Sequence, residues 1–264
     1  MKPLDELLAP HQVHLWHAFT PQQDEALNAL QLSLLTPEER TRMARFHFER
    51  DQHRYLITRA LVRTVLSRYA PVEPAQWRFE PGPHGRPYIT NPHPLAQQLR
   101  FNLSHTDGLV VLAVTTGREI GVDTESTTRT APLEVADRFF SQQEAQALRA
   151  LPATEQAHRF WELWTFKESY IKARGLGLSL PLSKFSFQLE HEARVDIGFE
   201  DGLDDSPARW RFWQLRPDAN HLVALCLEAS TTELVEFSCK TVQPLLSDTA
   251  LAFELTRRPR ALQG

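Results

Sequence analysis

An aspartate and a glutamate stand two apart in Ile120-Gly121-Val122-Asp123-Thr124-Glu125, after an apolar entry. On a β-strand, residues i and i+2 leave the same face, so the two carboxylates converge. Adjacent carboxylates repel, and a hard divalent cation is the usual reason to hold them together. The same spacing fits acids that simply meet water where a strand runs out into a loop, and for an isolated D-x-E that is the commoner meaning. A second stretch, Phe160 to Pro181, changes the balance. Trp164, Glu168 and Lys172 follow one another at intervals of four and form one stripe of a helix. A Glu–Lys helix pair, worth about 0.2–0.5 kcal/mol, accounts for the acid and the base but not for the tryptophan beside them. A carboxylate for a metal and an ammonium for phosphate, on one rigid helix, would account for all three.

Other residues suit a phosphorylated ligand. Phe101 to Gly108 ends a strand with Ser104 and His105 at its turn, where a hydroxyl and an imidazole can meet phosphate oxygens. They do not read as a nucleophile and its base, because neighbours on a strand point to opposite faces. Pro81 to Ile89 is a turn-rich link in which Gly85 permits close approach to a flat ligand beside Arg86 and Pro87. Thr36 to Arg68 carries eight arginines (40, 42, 45, 50, 54, 59, 63 and 68) against four acids, a basic region in a chain of net charge −4. Such a region suits a phosphorylated ligand or an acidic partner, and equally the solvated face of long helices. His11, His14 and His17 are not read as metal ligands, since His14 would face away from the other two in a strand.

These residues need a scaffold, and the chain carries one twice. Thr36-Pro37-Glu38-Glu39 and Ser141-Gln142-Gln143-Glu144 are both helix-opening capping boxes. Each precedes a long helical pattern, around His53-Arg54-Tyr55 and His158-Arg159-Phe160. Arg100-Phe101 before the run Leu109–Val114 is matched by Arg211-Phe212 before Leu222–Leu227. Helices followed by hairpin-type strands predict an α+β fold built from a unit repeated once. Strands are expected near 77–81, 86–90, 100–104, 109–114, 118–126, 184–189, 193–199, 209–215 and 222–227. Gly175, after Lys172 and Arg174, is expected to end the second long helix.

Composition excludes several classes. With 42% hydrophobic and 23% charged residues, the 264-residue chain reads as an ordinary globular protein of one or two domains. No run approaches the roughly 20 apolar residues that span a bilayer. The N-terminal residues lack the apolar core of a secretory signal. Cys226 and Cys239 make neither a disulfide framework nor a zinc pattern, which fits a reducing cytoplasm.

The segments Phe101–His105, Ile120–Glu125, Arg138–Glu144 and Leu163–Phe187 resemble the 4'-phosphopantetheinyl transferases of the surfactin-synthetase type. That family's G-x-D-x-E and W-x-x-K-E-x-x-x-K patterns stand here as Gly121–Glu125 and Trp164–Lys172. Thr36–Phe46, Asp51–Leu56 and His84–Pro87 also look like its first half, and the resemblance runs from about Thr36 to Leu227. It implies a pseudo-dimer of two similar α+β halves, 1–118 and 119–240, followed by a partly flexible extension at 241–264, with the active site in the cleft between the halves. The implied reaction moves 4'-phosphopantetheine from coenzyme A to a serine of an apo acyl or peptidyl carrier protein, with Mg2+ required. Asp123, Glu125 and Glu168 would hold the metal. Glu168 and Lys172 would be catalytic, with Lys172 also on the pyrophosphate. Ser104, His105, Arg54 and Arg42 would contact the coenzyme's phosphates, and Gly85, Arg86 and Pro87 its adenine. Phe139, Phe140 and Trp164 would help dock the carrier. Glu39 stands where relatives of this type place a lysine. A cytoplasmic monomer that binds neither nucleic acid nor membrane is expected. The competing readings are another magnesium-dependent phosphodiester-cleaving enzyme and a non-catalytic carrier-binding module.

Overall fold

The computed structural model describes residues 8–21, 24–189, 193–230 and 232–259, which divide into two units. The first joins Met1–Gly117 to Val235–Leu251, and the second joins Arg118–Leu234 to Ala252–Gly264.

In the first unit, strand β1 (Gln12–Phe19) is followed by helices α1 (Glu25–Ser33), α2 (Pro37–Met43) and α3 (Glu49–Leu66). The ribbon β2 (Phe79–Pro81) and β3 (Pro87–Ile89), the short helix α4 (Pro94–Gln98) and the hairpin β4 (Leu99–Thr106) and β5 (Leu109–Thr116) come next. Two late strands, β11 (Glu236–Gln243) and β12 (Ser247–Ala250), complete a sheet of order β12-β11-β1-β5-β4. Only the β1–β11 pair of that sheet is parallel. The core of the unit joins Ile57, Leu61, Val62 and Val65 of α3 to Trp16, Val110, Leu112 and Val114 of the sheet. Each such side chain, fully buried, stabilises the unit by about 1.5–3 kcal/mol.

The second unit repeats the plan. Strand β6 (Ile120–Ser126) leads through α5 (Ala136–Phe139) and α6 (Gln142–Ala150) to the long helix α7 (Ala153–Arg174). Then come β7 (Phe185–Gln188), β8 (Arg194–Phe199) and the hairpin β9 (Trp210–Arg216) and β10 (His221–Glu228). With β13 (Glu254–Pro259) they form a sheet of order β6-β10-β9-β13-β8-β7. Phe160, Phe166 and Tyr170 of α7 pack with Phe185, Phe187 and Phe212 of the strands. Helix α7 stops where expected: Gly175 takes the left-handed φ of 64° and its N–H caps the carbonyls of Ile171 and Lys172.

The fold is therefore α+β with two similar halves. Strand orders β1-β5-β4 and β6-β10-β9 correspond, and both capping boxes form, with Thr36–Glu39 opening α2 and Ser141–Glu144 opening α6. The stretch after residue 240, expected as a partly flexible extension, instead carries strand residues of both sheets up to Pro259. Residues 260–264 lie outside the described residues. Glu254–Pro259 does not read as a strand because it holds two arginines and a proline. Arg257 is accommodated by an acid on α7, described below.

Candidate active site

The site in the second unit is built where α7 crosses β6. Gly121, Asp123 and Glu125 alternate onto one face of β6. A Cβ at Gly121 would fall inside contact distance of the Ser169 carbonyl oxygen and the Ala173 nitrogen, both backbone atoms of α7. Glycine therefore lets the helix lie directly on the strand, and the next two residues of that face are the carboxylates. From the helix, Glu168 and Lys172 belong to the same contact region. The Lys172 ammonium donates to Asp123 Oδ1 at 2.6 Å. Asp123 is buried, while Glu125, Glu168 and Lys172 are half-buried. Thr124 points the other way and donates to the Leu222 carbonyl at 3.1 Å.

Charge is concentrated here at a cost. Burial, and then the neighbouring Asp123, push the Glu125 carboxyl up to about 7. The same two causes raise Glu168, with Lys172 opposing them. Arg129, four residues beyond Glu125, pairs with its Oε2 at 3.3 Å and lies over the Trp161 ring. Three carboxylates without sulfur or nitrogen donors are the ligand set of a hard dication, and their mutual repulsion is what such an ion would relieve. Among the described residues, no group of three or more His, Cys, Asp or Glu side chains is gathered tightly enough to hold an ion as the side chains stand. The donor types fit Mg2+, and Lys172 takes one of the oxygens it would use.

In the first unit, Ser104 is buried and His105 exposed, on opposite faces of β4 as strand alternation requires. Arg54 sits on α3 between Asp51, at 2.7 Å, and Asp107, at 3.3 Å. Arg42 is exposed on α2. Gly85 takes a φ of 84° in the turn between β2 and β3, and nothing lies within 4 Å of its would-be Cβ. Arg86 beside it is buried and lies over the Tyr88 ring, and Pro87 opens β3 half-buried. Glu39 is fully engaged within the unit: it caps the Thr36 N–H, pairs with Arg59, and pairs with the buried Arg63 at 2.9 Å. His17 is buried, and His14 bonds the Tyr69 hydroxyl at 2.8 Å.

The aromatic residues separate. Phe139 and Trp164 are half-buried and meet edge to face. Phe140 turns inward at 2% exposure against Phe160, so it is a core residue and not a surface contact. Trp164 also stacks on Phe160, which ties its end of the stripe to the core.

Two ion pairs were not legible beforehand. Lys167, adjacent to Glu168, points away from the site and is 1% exposed. It donates to Glu144 at 2.8 Å and to the carbonyls of Leu182 and Phe185 at 2.8 and 2.7 Å. Glu144 is thus the counterpart of Glu39: each capping-box glutamate also grips a cation of the long helix that follows. The second pair is Arg257 of β13 with Glu162 of α7 at 2.7 Å. The capping box was the available signal for the first; the second has no local signature.

Two family models match the chain. Residues 17–117 match the one described as "4'-phosphopantetheinyl transferase, N-terminal", and residues 119–226 the "4'-phosphopantetheinyl transferase superfamily". The chain is 36% identical over 195 residues to 4'-phosphopantetheinyl transferase Sfp of Bacillus subtilis, covering 74% of this chain and 83% of that one. It is 34% identical over 227 residues to 4'-phosphopantetheinyl transferase HetI of a Nostoc species, covering 86% and 92%. A further 4'-phosphopantetheinyl transferase of Bacillus subtilis is 36% identical over 171 residues, covering 65% and 74%.

Proposed function

The chain belongs to the 4'-phosphopantetheinyl transferase family, and from that we propose that it moves 4'-phosphopantetheine from coenzyme A onto a serine of an apo acyl or peptidyl carrier protein. Adenosine 3',5'-bisphosphate is the other product. The observation that carries the reading is the meeting of Asp123 and Glu125 on β6 with Glu168 and Lys172 on α7, made possible by Gly121.

In this reading the carrier serine oxygen bonds to the β-phosphorus while the bond from that phosphorus to the bridging oxygen breaks. Asp123, Glu125 and Glu168 would hold Mg2+, which would supply charge neutralisation at the pyrophosphate. Glu168 takes the serine proton, directly or through water. Lys172 leaves Asp123 for the pyrophosphate and steadies the charge on the leaving group. The first unit contributes Arg54 and Arg42 to the 3'-phosphate, Ser104 and His105 along the phosphates, and Gly85, Arg86 and Pro87 beside the adenine. Phe139 and Trp164 offer half-buried aromatic surface for the carrier. Cys226 and Cys239 are buried free thiols, which supports a reducing cytoplasm. No described helix is long and apolar enough to cross a membrane, and we read the chain as a monomer.

Intact-mass measurement of a purified apo-carrier incubated with the protein, coenzyme A and Mg2+ tests the reaction. An adduct of the phosphopantetheine mass, absent with EDTA, is expected. An unmodified carrier across fatty-acid, polyketide and peptide-synthetase types would refute it. Glu168→Gln should keep the wild-type circular dichroism and lose transfer; wild-type turnover in that variant would remove Glu168 from its role.

A further inference from the structure

We propose that Asp107 sets the affinity for the donor by competing with its 3'-phosphate for Arg54. This rests on the reading of Arg54 as a phosphate contact. Arg54 directs Nη2 to Asp51 Oδ1 at 2.7 Å and Nη1 to Asp107 Oδ1 at 3.3 Å. Those two terminal nitrogens are the fork by which a guanidinium holds two oxygens of one phosphate. Two carboxylates therefore stand where phosphate oxygens would bind.

The two acids are not equivalent. Asp51 lies in the first turn of α3, where a carboxylate is favoured by the helix N-terminus whatever else it does. Asp107 lies in the turn joining β4 to β5, two residues beyond His105, with a side chain 62% exposed. Gly108 supplies the left-handed φ of 85° and Asp107 has no positive φ, so asparagine, equally suited to turns, fits the position. The Asp107 carboxylate places an opposing charge on Arg54. An exposed pair of this kind is weak, so it tunes affinity and does not block binding.

The measurement is steady-state kinetics with coenzyme A and with 3'-dephospho-coenzyme A, at about 0.15 M salt so that charges beyond about 8 Å are screened. Asp107→Asn should lower KM for coenzyme A by about two- to fivefold, the range of an exposed ion pair. KM for the dephospho donor should stay where it was. Calorimetry should show adenosine 3',5'-bisphosphate binding Asp107→Asn more tightly by the same factor. Arg54→Gln, run alongside, should raise KM for coenzyme A alone. If Arg54→Gln does so and Asp107→Asn changes neither donor, or changes both equally, the competition is overturned while the reading of Arg54 stands. If Arg54→Gln leaves both KM values unchanged, the reading of Arg54 falls and the competition with it.

Discussion

Lys167 and Glu168 are neighbours in the chain and do opposite work. Glu168 faces the carboxylates of β6, whereas Lys167 is sealed in the core on Glu144 and two carbonyls. Removing one partner of such a buried pair leaves the other charge uncompensated, at a cost of about 3–5 kcal/mol. Lys167→Met should lose stability on that scale in denaturant titrations, and Lys167→Met with Glu144→Leu should recover much of it. Glu162 makes a second prediction. Burial pushes its carboxyl up, but hydrogen bonds with His158 and Arg257 and the charge of Arg257 outweigh that and hold it at about 2. A carboxyl depressed from 4.5 stabilises the fold above that pH and loses its contribution as the pH falls towards about 2. Unfolding midpoints should therefore drop more steeply over that window in the wild type than in Glu162→Gln. The grouping of the candidate site residues Asp123, Glu125, Glu168 and Lys172 was legible because their spacing matches a strand and a helix. The pairings of Lys167 and Glu162 were not, because the partners lie on other elements: the capping box marks Glu144 but not the cation it grips, and nothing local marks Glu162 with Arg257.

Element by element, strands β2 to β10, though not β1, and the two long helices follow from alternation, capping and a glycine stop. The position of α7 against β6 does not, because it depends on a missing side chain. Gly121 reads in the sequence as a break in an apolar run; its use appears only when the backbone of α7 is seen lying on it. Gly121→Ala must push backbone against backbone, so no side chain can swing aside. A loss of about 1–3 kcal/mol is expected, together with a fall in transfer rate as Glu168 and Lys172 move off the carboxylates. Comparing the denaturation midpoint and activity of Gly121→Ala with those of Val122→Ala, whose neighbour strand position faces away, separates the two effects. If Gly121→Ala behaves as wild type in both, close approach is not what the glycine provides. The late strands β11, β12 and β13 escaped the sequence for a different reason. Lys, Arg, Asp and Pro interrupt their alternation, and β11 and β13 find their partners β1 and β9 far away in the chain.

At the scale of the molecule, the duplication was visible from paired capping boxes and hairpins, but the route of the last thirty or so residues was not. Unit one takes Val235–Leu251 and unit two takes Ala252–Gly264. A polypeptide cut between Gly117 and Arg118 should therefore not yield two self-sufficient pieces. Residues 1–117 alone should show poor amide protection in β1, which lacks its parallel partner, and adding the peptide 235–251 should restore it. During synthesis the same wiring delays completion. The amino-terminal sheet has to wait, with one flank of β1 unsatisfied, until Glu236–Gln243 has been translated. A ribosome stalled shortly after Leu234 would hold a nascent chain whose first half is still open to chaperones and proteases, however well its own helices have formed.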